Sequence, residues 1–169
     1  GKTANPDLQY RVDECDRYGD LSDSTSDFYV YNYNDLNHKI EGVLNQFYDF
    51  PEDFDITFCH HTNAGHSNNF KLRKVTLRGS AVTLQYMFKN CRSLEYLNHT
   101  DLDTSNVESF KEMFDTTRNG THSFNQELNF DTSNANNFHG VFHNSHYNQP
   151  LNWNTSKVTT TQQMFKNNN

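Results

Sequence analysis

The stretch 101–114, "DLDTSNVESFKEMF", decides how this chain is read, because it returns as "NFDTSNANNFHGVF" at 129–142 and as "NWNTSKVTTTQQMF" at 152–165. Aligned on the closing phenylalanine, with Phe88 as an earlier member, the spacings are 26, 28 and 23 residues. A recurring period of that size marks an array of repeats. Within each copy, apolar residues fall at i, i+3, i+6 and i+7. The sets are Ala81, Leu84, Met87 and Phe88; Val107, Phe110, Met113 and Phe114; Ala135, Phe138, Val141 and Phe142; and Val158, Thr161, Met164 and Phe165, with only Thr161 breaking the stripe. That spacing predicts a short helix with one apolar face in each repeat.

The residues before each stripe read as a helix start. Ser105 with Glu108 three positions later fits a capping box, and Ser133 and Ser156 hold the place of Ser105 in later copies. Asp103, Asp131 and Asn154 stand two residues earlier still, where a side-chain oxygen can close a turn. Between the stripes lie Leu94, Leu97 and Leu102; Phe124, Leu128 and Phe130; and Tyr147, Leu151 and Trp153. These pieces are too short for helices and predict one brief strand per repeat. A single repeat buries too little to offset the ordering of its own residues, so the copies must share a core. The expected fold class is therefore α/β: a solenoid of short strand plus short helix per repeat, preceded by a small strand–helix–strand cap.

Three segments follow from this reading. Residues 1–27 form an acidic extended segment. Residues 28–75 form an N-terminal α/β capping unit, with strands in "FYVYNY" (28–33), "FDITF" (54–58) and "FKLRKVTL" (70–77). Its helix is expected over 34–48, from Leu36, Ile40, Val43, Leu44 and Phe47. Residues 76–169 form about four repeats. The last one ends on Val158, Met164 and Phe165 with no polar cap beyond. The expectation is a continuing chain or another chain against that end, and the sequence reads as a mature form or a fragment.

The words "MFKNCRSLEYL", "FNQEL…FDTSN" and "YNQPLNWNTSKV…MF" resemble the BspA-like leucine-rich repeat proteins. The likeness is to the branch with a 26-residue surface-protein repeat, formerly described as a mycoplasma family of unknown function, and it covers roughly residues 75–169. It implies a surface-exposed or secreted protein engaged in adhesion or protein binding. No catalytic residue belongs to the motif. This chain departs from the pattern by about four extra residues around 116–122, and by stopping at "MFKNNN" without a following strand.

Composition narrows the classes further. The hydrophobic share is only 33%, but aromatics reach 14%, too many large rings for a disordered chain. Net charge is −7, with −9 in residues 1–60 and +2 in the remainder. The acidic front argues against nucleic acid there, where phosphates would be repelled. No apolar run is long enough to span a membrane. Cys15, Cys59 and Cys91 are an odd set without a CxxC pair, so they dictate neither a complete disulfide framework nor a compartment.

Several residue groups invite a chemical reading. His139 and His143 have the i, i+4 spacing of helix-borne metal ligands, with His146 nearby, and Cys59 is followed by His60, His61 and His66. Neither group has a full ligand set, so a polar flank and an exposed loop are the simpler readings, and no metal or other cofactor is expected. Lys71, Arg73, Lys74 and Arg78 make a basic strand. It could meet an anionic glycan or an acidic partner, but a solvated face or pairing with the acidic "DFPEDFD" is the plainer expectation. Asn98, Asn119 and Asn154 head N-x-[ST] sequons, which a chain with 24 Asn produces by chance. No phosphate loop, nucleophile elbow or paired-carboxylate motif appears.

The functional expectation is a non-catalytic module, extracellular or on a cell surface, binding a protein or glycan through its solenoid face. Other readings are a structural component of a virion or surface layer, held by its C-terminal end, and an enzyme with a site in residues 28–75.

Overall fold

The computed structural model describes residues 5–16, 27–52, 55–59, 72–116 and 123–168. It overturns the expected α/β architecture. Among the described residues there is no helix, and the regular structure is two β-sheets rather than a leucine-rich-repeat-like solenoid.

The first sheet has four strands. β1 (Leu8–Cys15) pairs antiparallel with the short β4 (Tyr48–Asp49) on one side and with β6 (Leu72–Ser80) on the other; β6 pairs in parallel with β7 (Tyr96–Asp103). The first stretch of the chain, read from sequence as an acidic extended segment, supplies an interior strand. Its alternation explains why: Leu8, Tyr10 and Val12 are buried while Gln9 and Arg11 face outward. Gly79 lies at the sheet end with φ +94, and a Cβ there would stand 2.1 Å from the Asp7 carbonyl oxygen.

The second sheet joins β2 (Phe28–Asn32) to β3 (Asp35–Gly42) and β5 (Ile56–Thr57), all antiparallel. The helix expected over 34–48 is therefore absent, and most of that stretch is β3. Asn34 N–H donates to Asn32 Oδ1 and Tyr33 N–H to the Asp55 carbonyl, turning the chain back along β2. Ile40 then lies opposite Val30. Gly42 sits over the Phe28 ring, where a Cβ would approach to 2.2 Å.

The repeats fold as blocks of turns. Each expected helix contains a residue with positive φ two positions before its phenylalanine: Tyr86 (62°), Glu112 (51°), Gly140 (62°) and Gln163 (59°). Asn90, Asn144 and Asn167 repeat this two positions after it. A right-handed helix cannot pass through such residues. Each is the third residue of a turn closed by an i to i+3 hydrogen bond, as in Leu84–Met87, Phe110–Met113, Phe138–Val141 and Thr161–Met164.

Alternate amides of each block bond instead to the next repeat. Residues 84, 86, 88 and 90 donate to the carbonyls of 109, 111, 113 and 115. Residues 110, 112, 114 and 116 donate to 137, 139, 141 and 143, and 138, 140, 142 and 144 to 160, 162, 164 and 166. This spacing stacks the rings that share one repeat position in a row: Phe88 to Phe114 at 5.7 Å, Phe114 to Phe142 at 5.8 Å, and Phe142 to Phe165 at 5.7 Å. Phe58 extends the row at 5.3 Å from Phe88, and its amide donates to the Met87 carbonyl. The row thereby runs into the core of the sheets, where Tyr10 meets Phe58. A Cys59–Cys91 disulfide fastens the same junction, and the buried Asn5 amide bonds Val82 and Thr83 beside it.

The strand expected in each repeat occurs once, as β7. The equivalent pieces 124–130 and 147–153 carry no strand but still bury Phe124, Leu128, Phe130 and Tyr147.

Candidate functional site

The "DTSN" word is a turn, as its Asp and Asn positions imply, but it caps no helix. Asp103, Asp131 and Asn154 each accept, through Oδ1, the amide two residues on, at Ser105, Ser133 and Ser156. The capping box of Ser105 with Glu108 is thus corrected to an Asx turn. Thr, passed over in the sequence, does the joining: buried Thr104 Oγ1 donates to the Asp131 carbonyl and accepts from the Asp131 amide, and Thr132 Oγ1 donates to the Asn154 carbonyl.

With Thr inside, the next residues point out. Asn106, Glu108, Asn134, Asn136 and Lys157, with Val82, line a groove of about 650 Å³ running across three repeats. Asn134 donates to the Ser105 carbonyl at 2.6 Å and accepts from Lys157 Nζ at 2.7 Å. Asn106, Glu108 and Asn136 are exposed. The same two outward positions recur one repeat apart, so the groove offers amides and charges at regular intervals.

A second groove, of about 410 Å³, opens beside β7, lined by Tyr96, Leu97, His99, Thr100, Leu102, Gln126, Glu127 and Asn129. Gln126 fixes its floor: its Oε1 accepts the Leu97 amide at 2.9 Å and its Nε2 donates to the Leu97 carbonyl at 2.7 Å. His99 packs edge-on against Phe130 at 5.1 Å. Burial holds His99 below its ordinary value, so it is uncharged at neutral pH.

The turn blocks also carry a charged cluster. Lys89, Asp115 and His143 each follow a row phenylalanine, one repeat apart. Lys89 Nζ reaches Glu112 Oε2 at 3.0 Å and Asp115 Oδ2 at 3.6 Å. His143 Nδ1 stands 3.1 Å from Asp115 Oδ1, a buried oxygen that accepts no aligned hydrogen bond, and His139 Nε2 lies 3.9 Å from Glu112 Oε1. Burial pushes the Asp115 carboxyl up, against the opposing pull of Lys89 and His143. Burial disfavours the Lys89 ammonium too, but the Glu112 hydrogen bond and charge outweigh it and hold Lys89 above its usual value. Tyr33 and Tyr86 stack beside the cluster at 3.8 Å. Its ion pairs tie successive repeats to one another.

The other sequence-flagged groups are dispersed. His139 and His143 go to different carboxylates, and among the described residues no three His, Cys, Asp or Glu side chains converge as metal ligands. Cys59 is disulfide-bonded, while His60, His61, His66 and Lys71 lie outside the described residues, as does Asn119. Among the described residues, Arg73 pairs with Asp16 and Glu95 and Lys74 with Glu14, while Arg78 lies over the Phe47 ring at 3.4 Å. Asn98 and Asn154 both spend Oδ1 on local turns. No helix among the described residues is long and apolar enough to cross a membrane.

Neither the curated proteins nor the solved structures contain a match to this chain. Its second half does match a family model: residues 80–169, more than half of the 169, fit the family described as Mycoplasma protein of unknown function, DUF285. The match covers the turn blocks and both grooves, and the chain belongs to that family.

Proposed function

We propose that this chain is a non-catalytic interaction module, kin to the BspA-like surface-protein repeats, which binds a protein or glycan outside the cell. The observation that carries the reading is the Asn-lined groove, where Asn106, Asn134 and Lys157 present polar groups at the same place in successive repeats. A periodic polar surface suits an extended partner, whose own repeating groups can be met one after another. The Cys59–Cys91 disulfide supports an oxidising, extracellular setting, since such bonds persist there and are rare in the cytosol. The net charge of −7 disfavours nucleic acid as the partner.

The test is capture from cell-surface and secreted extracts of the source, using the immobilised chain and an Asn106→Arg/Asn136→Arg variant. Capture lost in the variant, at an unchanged unfolding midpoint, supports the groove. Equal capture by both proteins removes it.

One observation favours the second reading, a structural part of a virion or surface layer. Phe165 ends the ring row 49% exposed, and the amides of Thr161, Gln163, Phe165 and Asn167 have no acceptor among the described residues. Carbonyls and an apolar face, from a neighbouring subunit or from a further repeat, would complete that tier. Concentration-dependent assembly abolished by Phe165→Asp would favour it.

A further inference from the structure

We propose that the groove beside β7 is a binding subsite for a neutral sugar, with Tyr96 as its stacking platform. The argument rests on the interaction-module reading but on a different surface from the Asn-lined groove. Tyr96 is 46% exposed, one of two large hydrophobic side chains left open among the described residues. An isolated exposed ring needs no explanation, but this one borders a concavity with convergent polar groups. Glu127 and Asn129 line the groove and are exposed, so their oxygens and amide are within reach of a ligand.

The chemistry points to a carbohydrate. A pyranose has an apolar face of C–H groups that suits the negative face of an aromatic ring. It also has an equatorial rim of hydroxyls, each both donor and acceptor. Glu127 offers acceptors, while Asn129 offers donors and an acceptor. The floor is preorganised, because Gln126 is held by both backbone groups of Leu97 and His99 is packed against Phe130. Its one charged group is the Glu127 carboxylate, with His99 uncharged, so sulfated and sialylated sugars are repelled. The volume of about 410 Å³ is within the range of small-ligand pockets.

The experiment is a glycan array carrying neutral, N-acetylated, sulfated and sialylated sugars, probed with the full chain and followed by titration of the best neutral hit. Wild type should bind neutral or N-acetylated glycans. Tyr96→Ala should weaken the hit by about tenfold and Tyr96→Trp should retain it. Glu127→Gln should weaken it while leaving the unfolding midpoint in place. The Asn106→Arg/Asn136→Arg variant should bind the sugar as wild type does. Binding only to anionic glycans, no glycan binding, or a Tyr96→Ala variant equal to wild type would each overturn the subsite. A protein partner captured through the Asn-lined groove and insensitive to deglycosylation would leave the interaction reading intact while removing this one.

Discussion

The front sheets and the rear turn blocks bury aromatic rings in different ways. In front, ring angles differ from pair to pair: Tyr10 meets Phe28 at 76° and Phe58 at 81°, but lies at 28° to Tyr48 and 41° to Phe50. In the rear they lie nearly parallel, at 14°, 1° and 12° down the row from Phe88 to Phe165. The difference comes from what sets the spacing. Front rings project from antiparallel strands whose sequences are unrelated, so each contact is particular to its pair. Rear rings occupy one position of a repeat, and the inter-repeat hydrogen bonds hold each at the same offset from its homologue. Rear positions should therefore behave as a series, graded by how many neighbours each ring has, and front positions should not.

The strongest way to break this comparison is along the row itself. Phe114→Ala should cost about 3–5 kcal/mol, because the ring is fully buried between two others. Phe165→Ala, at the half-exposed end, should cost less than about 1 kcal/mol. Denaturant unfolding of the two variants reads both values, and equal losses would end the idea of a graded series.

Next in size is the tie between the regions. The Cys59–Cys91 bond closes a loop of separation 32, which is worth about 3–4 kcal/mol in the chain-entropy description. The Cys59→Ser/Cys91→Ser protein should unfold earlier by that amount. Indifference of the midpoint to this double change would mean that the two regions are held together by packing alone.

Smaller still is the threonine that joins "DTSN" turns. Thr104→Val leaves the Asp131 amide and carbonyl without their partner and should cost about 1–3 kcal/mol. Thr155, exposed and at the same repeat position, should tolerate valine within about 0.5 kcal/mol.

The smallest effect is in pH, and the carboxylates divide by environment. Burial raises Asp55 and Asp115, so the folded state holds their protons more tightly than the unfolded chain. Their contribution is full below about pH 4 and is lost as pH rises through the raised folded values. Asp103 and Asp131 are lowered by their Ser105 and Ser133 hydrogen bonds, and contribute in the opposite sense: present above about pH 4 and lost as acid protonates them. Asp115→Asn should flatten the decline above pH 4 in midpoint-versus-pH curves, and Asp103→Asn should leave that decline in place. An unchanged slope in Asp115→Asn would show that this carboxyl is not the group responsible.

Much of the rear half was legible because repetition is a long-range signal. The period placed the four phenylalanines in one row, and the aspartates of "DTSN" identified their turns. The helices were misread because the apolar spacing i, i+3, i+6, i+7 also fits overlapping turns that contain left-handed residues. Tyr86, Glu112 and Gln163 hide those residues, since side chains of their kind seldom adopt positive φ. The Asn two positions beyond three of the phenylalanines was the available clue, because Asn tolerates that conformation. In front, β3 lost its helical pattern to pairing with β2, which no local periodicity reports. The charged cluster was equally hidden within any one repeat. Lys89, Asp115 and His143 become neighbours only when the copies are laid over one another. The Tyr96 groove had no motif at all, since Tyr96, Glu127 and Asn129 come to line one groove only in the folded chain.

The hydrogen bonds between blocks have a bearing on how such a protein can change over generations. Bonded residues are 25, 27 and 22 positions apart at the three successive junctions, yet each junction has the same four bonds. The differences in length fall between the bonded blocks, and the block itself keeps its count. A duplication of one whole period would give every amide in the new block a carbonyl to meet and every ring a ring to lie on. A single-residue deletion inside a block would instead exchange inward side chains for outward ones from that point to the block's end. Unequal exchange between copies of the repeat is therefore a tolerated source of variation, and it lengthens or shortens the Asn-lined groove without redesigning what lies beneath it.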